Sequence, residues 1–303
     1  MCKDVSVFEF LNKFPNEEVC HKFIEKSRWP TGIYCPYCGN RRIYWLDKQS
    51  RYKCGSCRKQ FSIRTNTVLA ESKVSLQKWL MAIWILTSHR KGISSVQLAK
   101  ILGVTQKTAW FLAHRIRESF KEGNGGMFNG ETEVDETYIG GKEKNKHEHK
   151  KAKLGRGAVG KIAVVGLKHR GNRVTASVVK KTDAKTLHGI IRKNVRNGSI
   201  VYTDDHRAYQ GLLGYSHSVV CHSVGEYVKE MASTNGIESF WALLKRGFHG
   251  IYHKMSPAHL QRYVDEFVFR DNTKKITPEK IWSKVFFNSN GRRLTYARLI
   301  NAA

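Results

Sequence analysis

The chain has 303 residues, 41% of them hydrophobic, enough to bury a core and to exclude wholesale disorder. It carries 53 Lys and Arg against 25 Asp and Glu, a formal charge of +28, which points to a polyanionic partner, nucleic acid first. No stretch has the roughly 18 uncharged apolar residues of a membrane span, and MCKDVSVFEFLNKF has acids inside its apolar run, unlike a signal peptide. The expected setting is inside the cell, where cysteines stay reduced.

Residues 1–30 predict an N-terminal helix around Asn16 to Trp29, with Glu17 and Glu18 in its first turn and Pro30 ending it. A four-cysteine unit follows in residues 31–67. Cys35-Pro-Tyr-Cys38 and Cys54-Gly-Ser-Cys57 are separated by fifteen residues. Two such knuckles match a structural zinc site, in which four thiolates close the tetrahedral shell. The intervening RRIYWLDKQSRYK alternates like a hairpin, so the unit reads as a zinc ribbon. Cys2, Cys20 and Cys221 have no partner pattern.

Residues 68–122 predict helices. Leu76, Trp79, Leu80, Ile83 and Trp84 mark an apolar helix stopped near Gly92. SSVQLAKILGVTQKTAWFLAHRIRESF reads as a helix-turn-helix, with Gly103 at the turn and Thr105 capping the second helix. That leaves Gln106, Lys107, His114, Arg115 and Arg117 for DNA.

EGNGGMFNGE marks a boundary, after which residues 130–275 alternate strands with helices. Strand 131–139 carries Asp135 in EVDETYIGG. Between 141 and 170 ten Lys or Arg stand against Glu143 and Glu148, a stretch suited to a DNA backbone. Strands at 158–168 and in RVTASVV follow, then a helix capped by Thr182 or Asp183 and running to Val195. Strand SIVYTDD delivers Asp204, and another strand lies near SHSVVCH. A helix in TNGIESFWALLKRG carries Glu238, with Lys245 two turns later on the same face. Ser256-Pro257 opens a helix to about Arg270. The order β-β-β-α-β-α-β-α is that of a ribonuclease H-like core, and residues 276–303 read as a C-terminal tail. The expected class is therefore α+β and multidomain: a zinc ribbon and helix-turn-helix, then a mixed sheet flanked by helices. Two carboxylates at strand ends and one on a helix suit a pair of hard divalent cations about 4 Å apart, the arrangement for in-line phosphoryl transfer.

CPYCG with YKCGSCRKQFS, VDETYIGGK, VYTDDHRAY and TNGIESFWALLKRGFHGIYHKMSPAHLQRYVDEFVFRDN together resemble bacterial insertion-sequence transposases of the DDE class, in the group with an N-terminal zinc ribbon. The resemblance spans nearly the whole chain. It implies Asp135, Asp204 and Glu238 as catalytic ligands for Mg²⁺ or Mn²⁺, and Lys245 as a DNA contact beside the third acid. It also implies Zn²⁺ on Cys35, Cys38, Cys54 and Cys57. Asp205 beside Asp204, and Asn235 beside Glu238, remain alternatives, while Glu133 and Glu136 read as solvated or salt-bridged neighbours. The implied function is binding of the inverted-repeat ends of an element, followed by metal-dependent strand cleavage and strand transfer. The implied partner is double-stranded DNA, in the cytoplasm at the bacterial nucleoid, with a homo-oligomer assembling on it. A non-catalytic DNA-binding regulator derived from a transposase, or a ribonuclease H-like nuclease, are the alternatives.

Overall fold

The computed structural model describes residues 5–121, 126–141, 160–171, 173–220 and 234–301. The chain divides into two compact units, one of residues 1–121 with 275–303 and one of residues 122–274.

The first unit opens with two helices where the sequence predicts one. α1 (Val7–Lys13) is set off by a capping box between Ser6 and Glu9, and α2 (Glu17–Arg28) is capped by Asn16. A three-stranded antiparallel ribbon follows, β1 (Ile43–Leu46), β2 (Arg51–Cys54) and β3 (Gln60–Phe61). Then come α3 (Leu76–Ser88), α4 (Ser95–Leu102) and α5 (Gln106–Phe120). Gly103 ends α4 in the left-handed region at φ 59°, and the Thr105 hydroxyl accepts the Thr108 N–H at 3.2 Å to start α5.

Residues 276–303 are not a tail. They form α9 (Pro278–Asn288) and α10 (Tyr296–Ile300), and α9 packs on α2, α3 and α5. The cause is aromatic burial, because the fully buried Trp282 lies against Phe10 and Phe14 at centroid distances of 5.9 and 5.8 Å. Two arginines fasten the same segment. Arg28, buried, donates to Asn290 Oδ1 at 2.7 Å and to the carbonyls of Ser62, Ile63 and Thr65. Arg292 donates to the Glu118 and Lys121 carbonyls at the C-terminus of α5, both at 2.6 Å.

The second unit is a five-stranded mixed sheet built from β4 (Thr132–Ile139), β5 (Ile162–His169), β6 (Arg173–Val179), β7 (Ile200–Thr203) and β8 (Ser216–Val219). Its order is β6-β5-β4-β7-β8. The first three strands form an antiparallel meander, and β7 and β8 add parallel to β4. This is the ribonuclease H-like arrangement. α6 (Ala184–Asn194), capped by Asp183, supplies the crossover from β6 to β7. Strand alternation separates two cores. Val134, Val165, Leu167 and Val201 meet Leu187 and Ile191 of α6 on one face. On the other, Ile139, Val164, Val174 and Ala176 meet α7 (Asn235–Gly247) and α8 (Leu260–Thr273). The basic stretch 142–159 and Cys221 lie outside the described residues.

Candidate active site

Asp135 sits in the middle of β4, which is paired on both sides: antiparallel to β5, with Gly166 opposite Asp135, and parallel to β7 through Thr132–Val201 and Glu133–Tyr202. The last pair of that register, Glu133–Tyr202, stands two residues before Asp135 on one strand and two before Asp204 on the other, and the Asp204 charge reaches Asp135. β7 ends at Thr203, so Asp204 leaves the sheet edge while Asp135 is still held in it. Asp204 is half-buried and accepts the His206 N–H at 3.2 Å, whereas Asp205 is exposed.

Burial raises the Asp135 carboxyl, and the charges of Asp204 and then Glu136 raise it further, to about 7. Both Asp135 oxygens have donors: Oδ1 accepts the Glu136 N–H at 2.8 Å and Oδ2 accepts the Trp241 indole N–H at 3.0 Å. Glu136 points to the opposite face of β4, where the Tyr209 hydroxyl donates to it and His206 Nδ1 approaches to 3.8 Å. Burial raises the Glu136 carboxyl as well, aided by the Asp204 charge.

Of the two readings of Glu133, solvated or salt-bridged, the structure gives the second, with a further partner in the α7 backbone. Glu133 is 5% exposed, on the same face of β4 as Asp135, and its Oε2 accepts the Ile237 N–H at 2.8 Å. It therefore satisfies an otherwise orphaned donor in the first turn of α7, where a carboxylate also favours the helix dipole. Arg170 stands 3.9 Å from its other oxygen. Gly236 permits this approach, because a Cβ there would lie 2.7 Å from Glu133 Oε2. The signal was present in the sequence as the i, i+2 spacing of Glu133 and Asp135, which puts both on one face of a strand.

Glu238 lies in the first turn of α7, one turn before Trp241. It is exposed, and its Oε1 accepts the Thr234 hydroxyl at 2.9 Å. Asn235 is exposed at the start of the helix, and Lys245 is exposed in its last turn. Among the described residues, Asp135, Asp204 and Glu238 do not draw their ligand atoms into one tight group. The Asp204 charge acts on Asp135, and Glu238 stands on the helix whose Trp241 bonds to Asp135.

The four cysteines do converge. The sulfurs of Cys35, Cys38, Cys54 and Cys57 lie within 4.8 Å of one another, and the Cys35–Cys57 and Cys38–Cys54 separations are both 3.6 Å. Two thiolates on a tetrahedral zinc at the usual Zn–S distance of about 2.3 Å stand about 3.8 Å apart, and a disulfide would be near 2.05 Å. The cluster has the spacing of a closed zinc shell.

The helix-turn-helix departs from expectation along α5. Lys107 is exposed, with its ammonium 4.8 Å from the Tyr296 ring centre. Arg115 and Arg117 are 5% and 2% exposed, and His114 is fully buried. Arg115 donates to the Ala70 carbonyl and lies over the Trp79 and Phe111 rings at 5.1 and 5.2 Å. Because α3 and α9 both pack against α5, the side chains read as DNA contacts in its second half are enclosed. Only the first turn, with Gln106 and Lys107, is exposed among these candidates.

Comparison with known proteins places residues 127–272 in the ISXO2-like transposase domain family and residues 15–60 in a transposase zinc-ribbon domain family. An uncharacterized protein in transposable element ISH50 of Halobacterium salinarum is 27% identical over 280 residues, 86% of this chain and 92% of that protein. An uncharacterized transposase-like protein of Haemophilus influenzae is 33% identical over 106 residues, 34% of this chain and 85% of that protein. A chain in a crystal structure of a pre-cleavage Mos1 transpososome is 14% identical, covering 70% of this chain and 79% of that one. The TM-score between the two chains is 0.19.

Proposed function

Because the chain belongs to the DDE-class insertion-sequence transposases with an N-terminal zinc ribbon, we propose that it binds the inverted-repeat ends of its own element and catalyses metal-dependent strand cleavage and strand transfer. The observation that carries the reading is the pairing of Asp135 with Asp204. The Asp204 charge acts on the buried Asp135, whose carboxyl is raised to about 7 by burial and by that charge. Such a pair is unfavourable until a cation neutralises it, and its hard oxygen donors fit Mg²⁺ or Mn²⁺. Bound divalent metal would polarise the scissile phosphate and lower the pKa of the attacking water or 3′-hydroxyl.

The chain's own residues supply the geometry. β4 holds Asp135, β7 delivers Asp204 just past its last residue, Thr203, and Glu133 and Trp241 tie α7 to β4. Glu238 enters as the third carboxylate from one turn before Trp241. Its Oε1 accepts the Thr234 hydroxyl at 2.9 Å, and with a bound divalent cation this carboxylate would serve as an oxygen ligand. Lys245, one turn beyond Trp241, would hold a DNA phosphate beside the acids. End recognition falls to the first unit, with Lys107 at the exposed start of α5. Joining two ends calls for more than one protomer on the DNA.

The test is Asp135→Asn in the full chain. The expected result is loss of end cleavage and strand transfer with retained binding of an inverted-repeat duplex. A folded variant that still cleaves would refute the assignment.

A further inference from the structure

We infer that Trp241 and Gly166 act as a positioning pair that fixes the Asp135 carboxylate, an inference that rests on the metal-site reading of Asp135. Trp241 is 3% exposed, packed among the apolar side chains between the sheet and helices α7 and α8. A buried indole N–H needs an acceptor, and the one it has is Asp135 Oδ2, at 3.0 Å. With Oδ1 held by the Glu136 N–H at 2.8 Å, the carboxylate has one donor on each oxygen. Its plane is thereby set, and the lone pairs left over are the ones available to a cation. Outer partners of this kind orient metal-binding carboxylates and raise affinity by about 10–100-fold.

The indole reaches Asp135 only because Gly166 is a glycine. Gly166 is the residue opposite Asp135 across the β4–β5 pair. A Cβ there would meet Trp241 Cζ2 at 2.5 Å, Cη2 at 2.6 Å and Ile237 Cδ1 at 2.8 Å. These are distances that real Cβ atoms do not adopt, and the atoms struck belong to a rigid ring and a packed core side chain rather than to a flexible tip. The missing side chain is therefore clearance for the ring. Any larger residue would push the indole, and with it α7, away from β4. Glu238 and Lys245 stand three residues before and four residues after Trp241, so the seat of this one ring also sets where they project.

The test measures Mn²⁺ binding to the zinc-loaded full chain by electron paramagnetic resonance of the free ion, without DNA. Asp135→Asn is expected to abolish tight binding. Trp241→Phe, which keeps a ring and removes the N–H, should weaken it by about tenfold or more with unchanged circular dichroism and zinc content. Gly166→Ala should weaken it too. The double variant should lose less than the sum of the two single losses, because Phe lacks the ring atoms Cζ2 and Cη2 that the new methyl strikes, leaving only its contact with Ile237. Unchanged Mn²⁺ affinity in Trp241→Phe, or additive losses in the double variant, would overturn the positioning role while Asp135→Asn still reported the metal site. No effect of Asp135→Asn would overturn the metal-site reading itself. A readout independent of whether the ring variants fold uses the wild-type chain with ¹⁵N-labelled indoles. One indole resonance should shift with Mg²⁺ and also move in Asp135→Asn. Absence of any resonance that responds to both would overturn the pair.

Discussion

The Glu133 carboxylate accepts the Ile237 N–H at 2.8 Å, so the strand that carries Asp135 also caps the helix that carries Glu238. The site is thus assembled by two ties between β4 and α7, one through the backbone at Ile237 and one through the indole of Trp241. Removing Glu133 leaves a buried N–H without its acceptor. Glu133→Ala is expected to destabilise the protein by about 1–3 kcal/mol. Glu133→Gln, whose amide oxygen can still accept, should lose less than half of that. Urea unfolding followed by circular dichroism checks the order, and equal losses in the two variants would deny the cap.

Asp135 gives a pH dependence of definite sign. The folded-state carboxyl keeps its proton up to about pH 7, while the unfolded one releases it near the ordinary value of 3.8. Over that window the folded chain binds more protons than the unfolded one, so this group's contribution to stability falls as pH rises from about 4 to about 7 without divalent ions. A bound divalent cation takes the proton's place. Added Mg²⁺ should therefore raise the Tm clearly at about pH 8 and hardly at all at about pH 5.5, a comparison made by calorimetry at fixed ionic strength. A Mg²⁺ effect that is independent of pH would contradict it.

The strands and helices of the second unit were legible because each has a local signature. β-branched runs end in polar turns at β4 and β7, and Ile237, Phe240, Trp241 and Leu244 repeat at helical spacing in α7. The zinc ribbon was legible from the cysteine spacing and the hairpin-like alternation between the two knuckles. What was not legible depends on contacts distant in sequence. Nothing local to HRIRESF reveals that Trp282 and Arg292, more than 160 residues away, belong to the same unit and help enclose α5. A run of arginines on a helix reads as a charged face until the elements packed against it are known. Likewise, the alternation of β4 puts Glu133 beside Asp135, but only the α7 backbone gives it a task.

Zinc should be separable from the acidic site. The full chain is expected to hold one zinc per chain, and Cys35→Ser to lose it. Three remaining thiolates no longer close the shell, and the ribbon hairpin is short and carries little core of its own. Atomic absorption gives the stoichiometry. Limited proteolysis should show cleavage within residues 31–67 of the variant while residues 173–220 and 234–274 stay resistant. A zinc-free variant with an intact, protease-resistant ribbon would show that the cysteines are only packed thiols.

Lys107 and Arg115 lie on the same helix and should respond in opposite ways. Lys107 is exposed in the first turn of α5, and Lys107→Ala should weaken binding to DNA of any sequence with little change in stability. It should also reduce the magnitude of the slope of log K against log salt by about one, as expected for one lost phosphate contact. Arg115 is buried between two aromatic rings and bonded to the Ala70 carbonyl. Arg115→Ala removes that donor and leaves a cavity among the rings, so it should lower stability by about 2 kcal/mol or more. Where the Arg115 variant is still folded, its salt slope should match that of the wild type. Fluorescence anisotropy across a salt series, paired with urea unfolding, separates the two. A lower salt slope in Arg115→Ala at unchanged stability would return that residue to the DNA-facing surface.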